Sequence, residues 1–332
     1  VRWRSEQLYL LKNKKRRVRW HLYIMKDLFG EEIKEINNLK KMFLIEPYSV
    51  INTRDGKWQK LKKQWNYLLK EDGSTREEEE FSKRRNTGIQ KRNNEIPTEK
   101  QKQFMYNDKN ISLFDPVISQ LCYDWFCVKG GHVIDCCAGD TRKGNVIAHL
   151  GGTFTGIELR KEQVEHNNIK AENGSKWICD NGENILNHIN EKSADMLLSC
   201  PPYFNLEVYS ELENDISNSQ NYDIFINSLK KMYIESIKCL KEDSFACIII
   251  QNIRKVKSQL YIDYYPFKED IIKIFTENGM FFYNDIVILK ANGTAQMRAI
   301  PYMNQKKIVP IHEYLLVFYK GNFKNIKKKY SI

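Results

Sequence analysis

Short apolar segments alternate with amphipathic helical segments through the last two thirds of the chain, and this alternation restricts the fold more than any other feature. Seven segments have the length and apolar content of strands: His132–Asp135, Thr153–Ile157, Lys176–Cys179, Ala194–Ser199, Ser244–Ile250, Phe281–Leu289 and Glu313–Tyr319. Alternating βαβ units with nearly continuous apolar strands predict a mostly parallel sheet covered by helices on both faces. No helix is evident between the last two segments, so we expect them to pair antiparallel at one side.

The positive charge of the chain is concentrated in its first third. The net charge is +11, and residues 1–110 contain 27 Lys and Arg against 16 Asp and Glu, so the whole surplus lies there. Residues 1–20 interleave basic side chains with Trp3, Tyr9 and Trp20. Such a segment is suited to neutralise phosphates and to stack on bases, although a solvated basic tail has the same composition.

These patterns predict four regions. They are a basic, mostly helical region over 1–70, a charged linker over 71–110, a folded α/β domain over 111–322 and a basic tail over 323–332. The eight cysteines include no CxxC pair and lie mostly in apolar contexts, which is typical of reduced, buried thiols. Without an apolar leader or an apolar run long enough to span a membrane, we expect a cytoplasmic protein.

Polar side chains follow several of the predicted strands, at the edge where open α/β sheets bind ligands. Asp135 ends the first strand and precedes the small residues Ala138 and Gly139. Glu158 follows the second strand, 23 residues after Asp135, a spacing at which an acid accepts both hydroxyls of a ribose. Asp180 ends the third strand and is a candidate acceptor for an adenine amino group. The pattern predicts a nucleoside pocket.

A dinucleotide oxidoreductase is the main competing interpretation of this pocket. It requires a G-x-G-x-x-G loop to hold a pyrophosphate. The loop here runs from Ala138 to Gly144 and has an acid, Asp140, where a phosphate would lie. A nucleoside that carries an amino acid, such as S-adenosylmethionine, suits this loop better.

The motif Ser199–Phe204 ends the fourth strand with two prolines and two aromatic residues. The prolines fix the backbone, so the Pro201 carbonyl has a defined direction, and Tyr203 offers a flat ring beside it. A rigid acceptor next to a stacking ring can hold a planar nucleobase by its exocyclic amino group. A proline turn at a strand end is the simpler alternative.

Together, the motifs resemble those of the DNA methyltransferases that methylate an exocyclic amino group, specifically the phage and mobile-element type. The matching stretches, in order, are Leu113–Pro116, Asp135–Gly144, Gly156–Arg160, Asp180, Ser199–Tyr203, Leu206–Tyr209 and Glu313–Gly321. The resemblance spans roughly residues 47–321 and is weakest over 71–110. It implies a Rossmann-like, S-adenosylmethionine-dependent methyltransferase fold with seven mostly parallel strands, an antiparallel last strand and a basic N-terminal extension.

The resemblance also implies roles for individual residues. The cofactor S-adenosylmethionine would be bound by Phe114, Asp115, Pro116, Asp135, Cys136, Ala138, Gly139, Glu158, Leu159 and Asp180. The catalytic residues would be Cys200, Pro201, Pro202 and Tyr203, with no metal. The side chain at 200 and the Pro201 carbonyl would accept hydrogen bonds from the target amino group, while Tyr203 would stack on a base flipped out of the duplex. The partner would be double-stranded DNA, with no membrane, and a homodimer or a partner subunit stays open.

Two positions depart from the family pattern. Cys200 stands where Asp, Asn or Ser is usual, and a thiol is a weak acceptor. Thr141 stands where a glycine is usual, so the cofactor loop is expected to be less tight. Cys200 precedes the prolines, whereas covalent cytosine methylation uses a cysteine after proline, so a covalent role is excluded.

Several alternatives stay open at this point. We place N6 of adenine slightly ahead of N4 of cytosine as the target. Methylation of RNA or of a protein glutamine, and a catalytically weak DNA-binding regulator on a methylase scaffold, are the rival functions. Target bases would be recognised by the basic N-terminal third, by Phe204–Asn221 or by Ala291–Pro310. A DNA methylase of this kind would act beside the nucleoid, or in the host cytoplasm if encoded by a phage, and would suit restriction-modification.

Overall fold

The computed structural model describes residues 25–26, 32–33, 39–69, 114–204, 210, 212–257, 260–292 and 295–330. The chain divides into two compact units, residues 1–47 and 48–332. The predicted DNA-contacting segment 1–20, the whole predicted linker 71–110 and the Leu206–Tyr209 stretch lie outside the described residues. The four predicted regions therefore stay predictions.

In the first unit, the described elements are two short strands that pair antiparallel and one short helix. The strands are β1 (Met25–Lys26) and β2 (Glu32–Ile33), and the helix is α1 (Leu39–Met42).

The second unit contains the remaining elements. Its strands are β3 (Val50–Asn52), β4 (His132–Asp135), β5 (Thr153–Glu158), β6 (Ser175–Cys179), β7 (Ala194–Ser199), β8 (Leu240–Ile250), β9 (Arg254–Lys257), β10 (Leu260–Tyr264), β11 (Phe281–Leu289) and β12 (His312–Lys320). Its helices are α2 (Gly56–Leu68), α3 (Pro116–Phe126), α4 (Arg142–His149), α5 (Lys161–Ile169), α6 (Tyr222–Cys239), α7 (Phe267–Glu277), α8 (Ala295–Asn304) and α9 (Phe323–Lys329). Two 3₁₀ turns lie at Gly182–Asn187 and Ile216–Asn218.

The main sheet has the strand order β3-β11-β12-β8-β7-β4-β5-β6 in the described part of the chain. All seven predicted strands are present, and the predicted α/β class with a mostly parallel sheet is confirmed. The predicted strand number was wrong, because β3 adds an eighth strand parallel to β11. Only three residues long, β3 has a single buried side chain, Ile51, which is too little apolar pattern to mark a strand.

The last strand is antiparallel to both of its neighbours, β11 and β8, as predicted. The absence of a helix before it was predicted wrongly, since α8 lies between β11 and β12. Pro301 lies inside α8, and most of its side chains are exposed, so the segment lacks the buried apolar face by which helices are predicted.

Apolar side chains spaced four residues apart attach α6 to the sheet. Phe225, Leu229 and Tyr233 are completely buried and lie on one face of this helix.

Helix α2 is attached to the start of α3 through two tryptophans. The Trp58 indole donates to Asp115 Oδ2 at 3.2 Å, and the Trp65 indole donates to Gln120 at 2.8 Å. Within the described residues, no helix combines the length and the apolar composition that crossing a membrane requires.

Gly144 in α4 provides a direct test of the packing between the helix and the sheet. A Cβ atom there would lie 2.6 Å from the Phe154 ring and 2.7 Å from the Trp177 ring. We therefore expect Gly144→Ala to lower the free energy of unfolding by about 1–3 kcal/mol, because both rings are held in a packed core. Chemical denaturation measures this change.

Gly56→Ala is the matched control, since nothing lies within 4 Å of a Cβ at that position. Its free energy of unfolding should change by less than about 0.5 kcal/mol. Equal stability of the two variants would contradict the packing described for α4.

Candidate active site

Four strands of the main sheet bring their polar carboxyl ends to the same edge, which we call the carboxyl edge. β4 pairs in parallel with both β5 and β7, and β5 pairs in parallel with β6. Asp135 lies opposite Gly156, and Glu158 lies opposite Cys179. Ile134 pairs with Leu197 of β7, two residues before Ser199. The predicted nucleoside pocket and the Ser199–Phe204 motif therefore follow neighbouring strands.

Asp135 is completely buried, and both of its carboxylate oxygens have partners. Oδ1 accepts from the Cys137 backbone N–H at 2.9 Å, and Oδ2 forms an ion pair with the Lys143 ammonium. The predicted contact between this carboxylate and a ligand would thus have to involve Lys143 as well. The neighbouring Cys136 side chain points into the apolar core, so only its backbone can face the pocket.

Lys143, in the first turn of α4, is a buried cation that the sequence analysis did not single out. Its side chain is 3% exposed, and its ammonium lies 3.4 Å from the Cys137 carbonyl and 5.2 Å from the centre of the Phe114 ring. Burial lowers the pKa of Lys143, but attraction to Asp135, Cys200 and Asp140 outweighs this and raises the pKa above its ordinary value. Lys143 is therefore protonated at neutral pH and cannot be a general base.

Gly139 and Glu158 connect the loop after β4 to the end of β5. Gly139 has a φ of +61°, which favours glycine, and its N–H donates to Glu158 Oε2 at 3.1 Å. The other oxygen of Glu158 accepts from the Arg160 N–H at 3.0 Å. Burial raises the pKa of Glu158 above its ordinary value, although Arg160 and the Gly139 N–H partly offset the effect. Open space above Gly139 leaves room for a ligand, because a Cβ there would contact nothing within 4 Å.

Asp180 lies just past β6 and is oriented by three neighbouring groups. Oδ1 accepts from the Asn181 N–H at 2.7 Å and from the Asn184 amide at 2.8 Å, and Oδ2 lies 2.6 Å from His188 Nε2. Burial acts to raise the pKa of Asp180, but the hydrogen bonds from Asn184 and His188 lower it below its ordinary value. Asp180 is therefore a fixed, charged acceptor at neutral pH.

The Phe114–Pro116 stretch has a structural role that is independent of any ligand. Asp115 caps α3 by accepting from the Val117 N–H at 3.0 Å, and it also accepts from Trp58 and from Lys62. Pro116 is buried in the first turn of α3. Of the three residues, Phe114 lies nearest the pocket, under the Lys143 ammonium. Leu159, also predicted to bind the cofactor, is half-buried and accepts from the Cys179 thiol through its carbonyl at 3.6 Å.

The Ser199–Phe204 motif is held by an aromatic cluster behind it. Phe204 is 3% exposed and has a φ of +50°, an uncommon backbone conformation for a bulky residue. Its ring packs on Tyr222, Phe225 and Tyr265 with centroid distances of 5.5–5.9 Å. This packing offsets the backbone strain at Phe204 and holds the end of the motif in place.

The four predicted catalytic residues lie side by side in this motif. Pro201 is buried, whereas Cys200, Pro202 and Tyr203 are half-buried. Cys200 Sγ lies 3.7 Å from the Tyr203 hydroxyl. Burial raises the pKa of Cys200 to about 12, while attraction to Lys143 acts in the opposite direction and Glu313 raises it further. Cys200 is therefore a neutral thiol at physiological pH. Among the described residues, no group of three or more His, Cys, Asp or Glu side chains could hold a metal ion.

The strand order and the mostly parallel pairing define a Rossmann-like α/β fold, and a comparison with known families matches part of the chain. Residues 194–331 match a family model described as DNA methylase, which confirms the predicted family resemblance over that range. This range contains the Ser199–Phe204 motif and ends just after α9. No curated protein matches the chain.

Two solved structures illustrate the more distant likenesses. A SAM-dependent methyltransferase from Methanosarcina mazei is 9% identical, with 64% of this chain and 99% of that chain covered and a TM-score of 0.41. A protein assigned as a DNA modification methylase from Thermus thermophilus, complexed with S-adenosyl-L-methionine, is 18% identical. That match covers 44% of this chain and 58% of the Thermus protein, with a TM-score of 0.32. Neither likeness is close enough to carry an argument.

The Asp135–Lys143 ion pair can be tested by removing one partner at a time. Lys143→Met should lower the free energy of unfolding by about 3–5 kcal/mol, because it leaves a buried carboxylate without a counter-ion. The double variant Asp135→Asn/Lys143→Met should regain most of that loss, since no buried charge remains. Chemical denaturation at neutral pH gives both values.

Lys62→Met serves as the control, because Lys62 pairs with Asp115 at 3.0 Å but is itself 37% exposed. That substitution should cost only about 0–1 kcal/mol. If Lys143→Met costs no more than Lys62→Met, the proposed energetic importance of the buried pair is refuted.

Proposed function

We propose that this protein transfers a methyl group from S-adenosylmethionine to the exocyclic amino group of a base in double-stranded DNA. The observation that carries the proposal is the direct pairing of β4 with β7. This pairing makes the loop after β4, Ala138–Gly144, a neighbour of the Ser199–Phe204 motif. The DNA methylase match over residues 194–331 supports the same chemistry. N6 of adenine is slightly favoured over N4 of cytosine as the acceptor.

The residues after β4, β5 and β6 offer the acceptors and the open space that S-adenosylmethionine would require. Glu158 would accept from the ribose hydroxyls, and Asp180 would accept from the adenine amino group. The open space above Gly139 admits the methionine part. There Asp140 would attract the ammonium group of the amino acid. When bound, S-adenosylmethionine supplies a methyl group activated by a sulfonium charge.

The residues after β7 would hold the acceptor base. Extrusion of the base is required because its amino group cannot be reached inside a duplex. Tyr203 would stack on the base, while the Pro201 carbonyl and the Cys200 sulfur would accept from the amino group. These acceptors orient the nitrogen lone pair toward the methyl group, and the proton displaced from nitrogen leaves to solvent. Positioning supplies most of the rate, because no covalent intermediate with the enzyme is formed.

Cys200 is suited to this role only as a neutral acceptor. With a pKa of about 12, it is not a thiolate nucleophile at physiological pH. The Pro201 carbonyl would therefore supply the stronger of the two acceptors, since sulfur is a weak one.

The contribution of Tyr203 can be separated into its ring and its hydroxyl. Tyr203→Ala should lower methyl transfer by about 5- to 150-fold, because stacking of a base on an aromatic ring contributes about 1–3 kcal/mol. Tyr203→Phe keeps the ring and should stay within a few-fold of the wild type. Transfer of labelled methyl to duplex DNA, followed by mass spectrometry of the nucleosides, measures the rate and identifies the methylated base.

The same experiment separates the rival functions. The affinity for S-adenosylmethionine should be the same in both Tyr203 variants and the wild type. Methyl found only in RNA or on protein glutamine would replace the DNA proposal, and DNA binding without any transfer would favour a regulatory role.

The raised pKa of Glu158 leads to a prediction of how binding of the methyl donor, S-adenosylmethionine, depends on pH. The ribose hydroxyls need a charged acceptor, so affinity for S-adenosylmethionine should fall as the pH drops through the raised pKa of Glu158. Glu158→Gln should bind the donor more weakly and lose this pH dependence. Calorimetric titration between neutral and mildly acidic pH measures both effects.

Protonation of Glu158 does not unfold the protein, so a loss of affinity for S-adenosylmethionine at low pH cannot be attributed to unfolding caused by this group. A carboxyl group whose pKa is raised by folding holds its proton more tightly in the folded state, so protonation of this group favours the fold. Circular dichroism at each pH checks that the protein stays folded. An unchanged pH dependence in Glu158→Gln would remove Glu158 from the donor site.

A further inference from the structure

Helix α8 exposes its apolar stripe to solvent. Only Ala295 and Tyr302, two turns apart, are buried and attach the helix to the rest of the unit. Met297 is 75% exposed, Ile300 73% and Met303 50%. At about 100° per residue, Met297 and Ile300 lie roughly 140–160° around the helix from the two buried side chains. This is the reverse of an ordinary surface helix, which buries its apolar stripe.

The exposed stripe continues into the segment after α8 and is surrounded by positive charge. Ile308 is 67% exposed. Between Ile286 and His312 the chain has no acidic residue and four basic ones; Lys290 pairs with Glu313, whereas Arg298, Lys306 and Lys307 lie in α8 or just after it. Two arginines from elsewhere reach the same region, since Arg254 donates to the Ile308 carbonyl at 3.2 Å and Arg54 donates to Asn292 at 3.0 Å. We call α8 with residues 305–308 the α8 surface.

The α8 surface lies at the carboxyl edge of the main sheet. Leu289 at the end of β11 pairs with His312 at the start of β12. Both ends of the segment between them therefore lie at the same edge of the sheet. β11 runs parallel to β8 and β7, because β12 is antiparallel to both β11 and β8. The end of β11 is therefore on the same edge as Ser199. Glu313, next to His312, is close enough to Cys200 to raise the pKa of its thiol.

We infer that the α8 surface binds the DNA duplex, with Met297, Ile300 and Met303 inserted where the target base leaves the stack. This inference rests on the proposed function and assigns the segment that opens the duplex. Apolar side chains that enter a base step replace lost stacking contacts, and the surrounding basic side chains neutralise phosphates.

A second copy of this chain is the main competing occupant of an exposed apolar stripe. A symmetric pair would bring the α8 surface of one copy against the same surface of the other. Because that segment has basic residues and no acidic one, the two copies would repel each other. A polyanion has the complementary charge, which favours DNA.

Photocross-linking identifies the occupant directly. In the full chain, Ile300 is replaced by p-benzoylphenylalanine and, as a control, the same replacement is made at Ile169. Ile169 is 80% exposed on α5. Both proteins are irradiated with sheared chromosomal duplex DNA and S-adenosylhomocysteine. We expect the DNA adduct from position 300 to exceed that from position 169 by about tenfold or more. Adducts from position 300 to a second protein copy, or equal DNA yields from the two positions, would overturn the inference.

A second pair of variants tests the insertion itself. Ile300→Glu should lower methyl transfer by about tenfold or more, because a charged side chain cannot replace base stacking. Ile169→Glu should leave transfer unchanged, and both variants should keep the wild-type melting temperature and affinity for S-adenosylmethionine. Transfer by Ile300→Glu at the wild-type rate would overturn the inference and leave the proposed function intact. Cross-links to DNA without methyl transfer by the wild type would keep the DNA contact and overturn the proposed function.

Discussion

The buried ion pair between Asp135 and Lys143 is the interaction on which the geometry of the site depends. Asp135 ends β4, and Lys143 lies in the first turn of α4, so the pair determines how the loop between them is folded. Because neither side chain reaches solvent, each charge is compensated chiefly by the other, and Lys143 is also attracted by Asp140. Such pairs add little net stability against an apolar core, yet removing one partner is costly. The pair therefore favours one arrangement of the loop, with Gly139 against Glu158 and Phe114 under the ammonium.

The other half of the site is held by packing instead of charge. Phe204 keeps an unfavourable backbone angle because three aromatic rings from α6 and the segment before α7 surround its side chain. Those rings belong to elements separated from the motif in sequence. Tyr222 also donates to Asp270 at 2.6 Å, which connects α6 to α7. The direction in which Pro201 and Tyr203 point is thus determined by the core under them, as pre-organised sites require.

The sequence predicted the parts of this protein that have a repeating apolar pattern. The seven long strands follow directly from apolar runs such as Ala194–Ser199, whose six side chains are all buried. The short strand β3 has no such pattern, and in α8 the apolar stripe is interrupted by Pro301, so both were missed. The motifs at the strand ends predicted that Asp135, Glu158 and Cys200 lie at one edge of the sheet, because the carboxyl ends of parallel strands meet at the same edge. Lys143 could not be found this way, since nothing in Thr141–Gly144 indicates that a lysine there turns inward to an aspartate eight residues earlier.

The charges around Cys200 explain why a neutral thiol suits this position. Asp135 is matched by Lys143, and Glu313 forms an ion pair with Lys290, so each charged neighbour of the motif is compensated by its own partner. An aspartate at position 200 would add a buried negative charge with no counter-ion of its own, because Lys143 already forms an ion pair with Asp135. A neutral thiol avoids that cost and keeps an acceptor, although a weak one. Under the proposed function, the positive sulfonium would then meet a site whose fixed charges are already balanced. The Pro201 carbonyl, which carries a dipole and no charge, would direct the amino group without changing that balance.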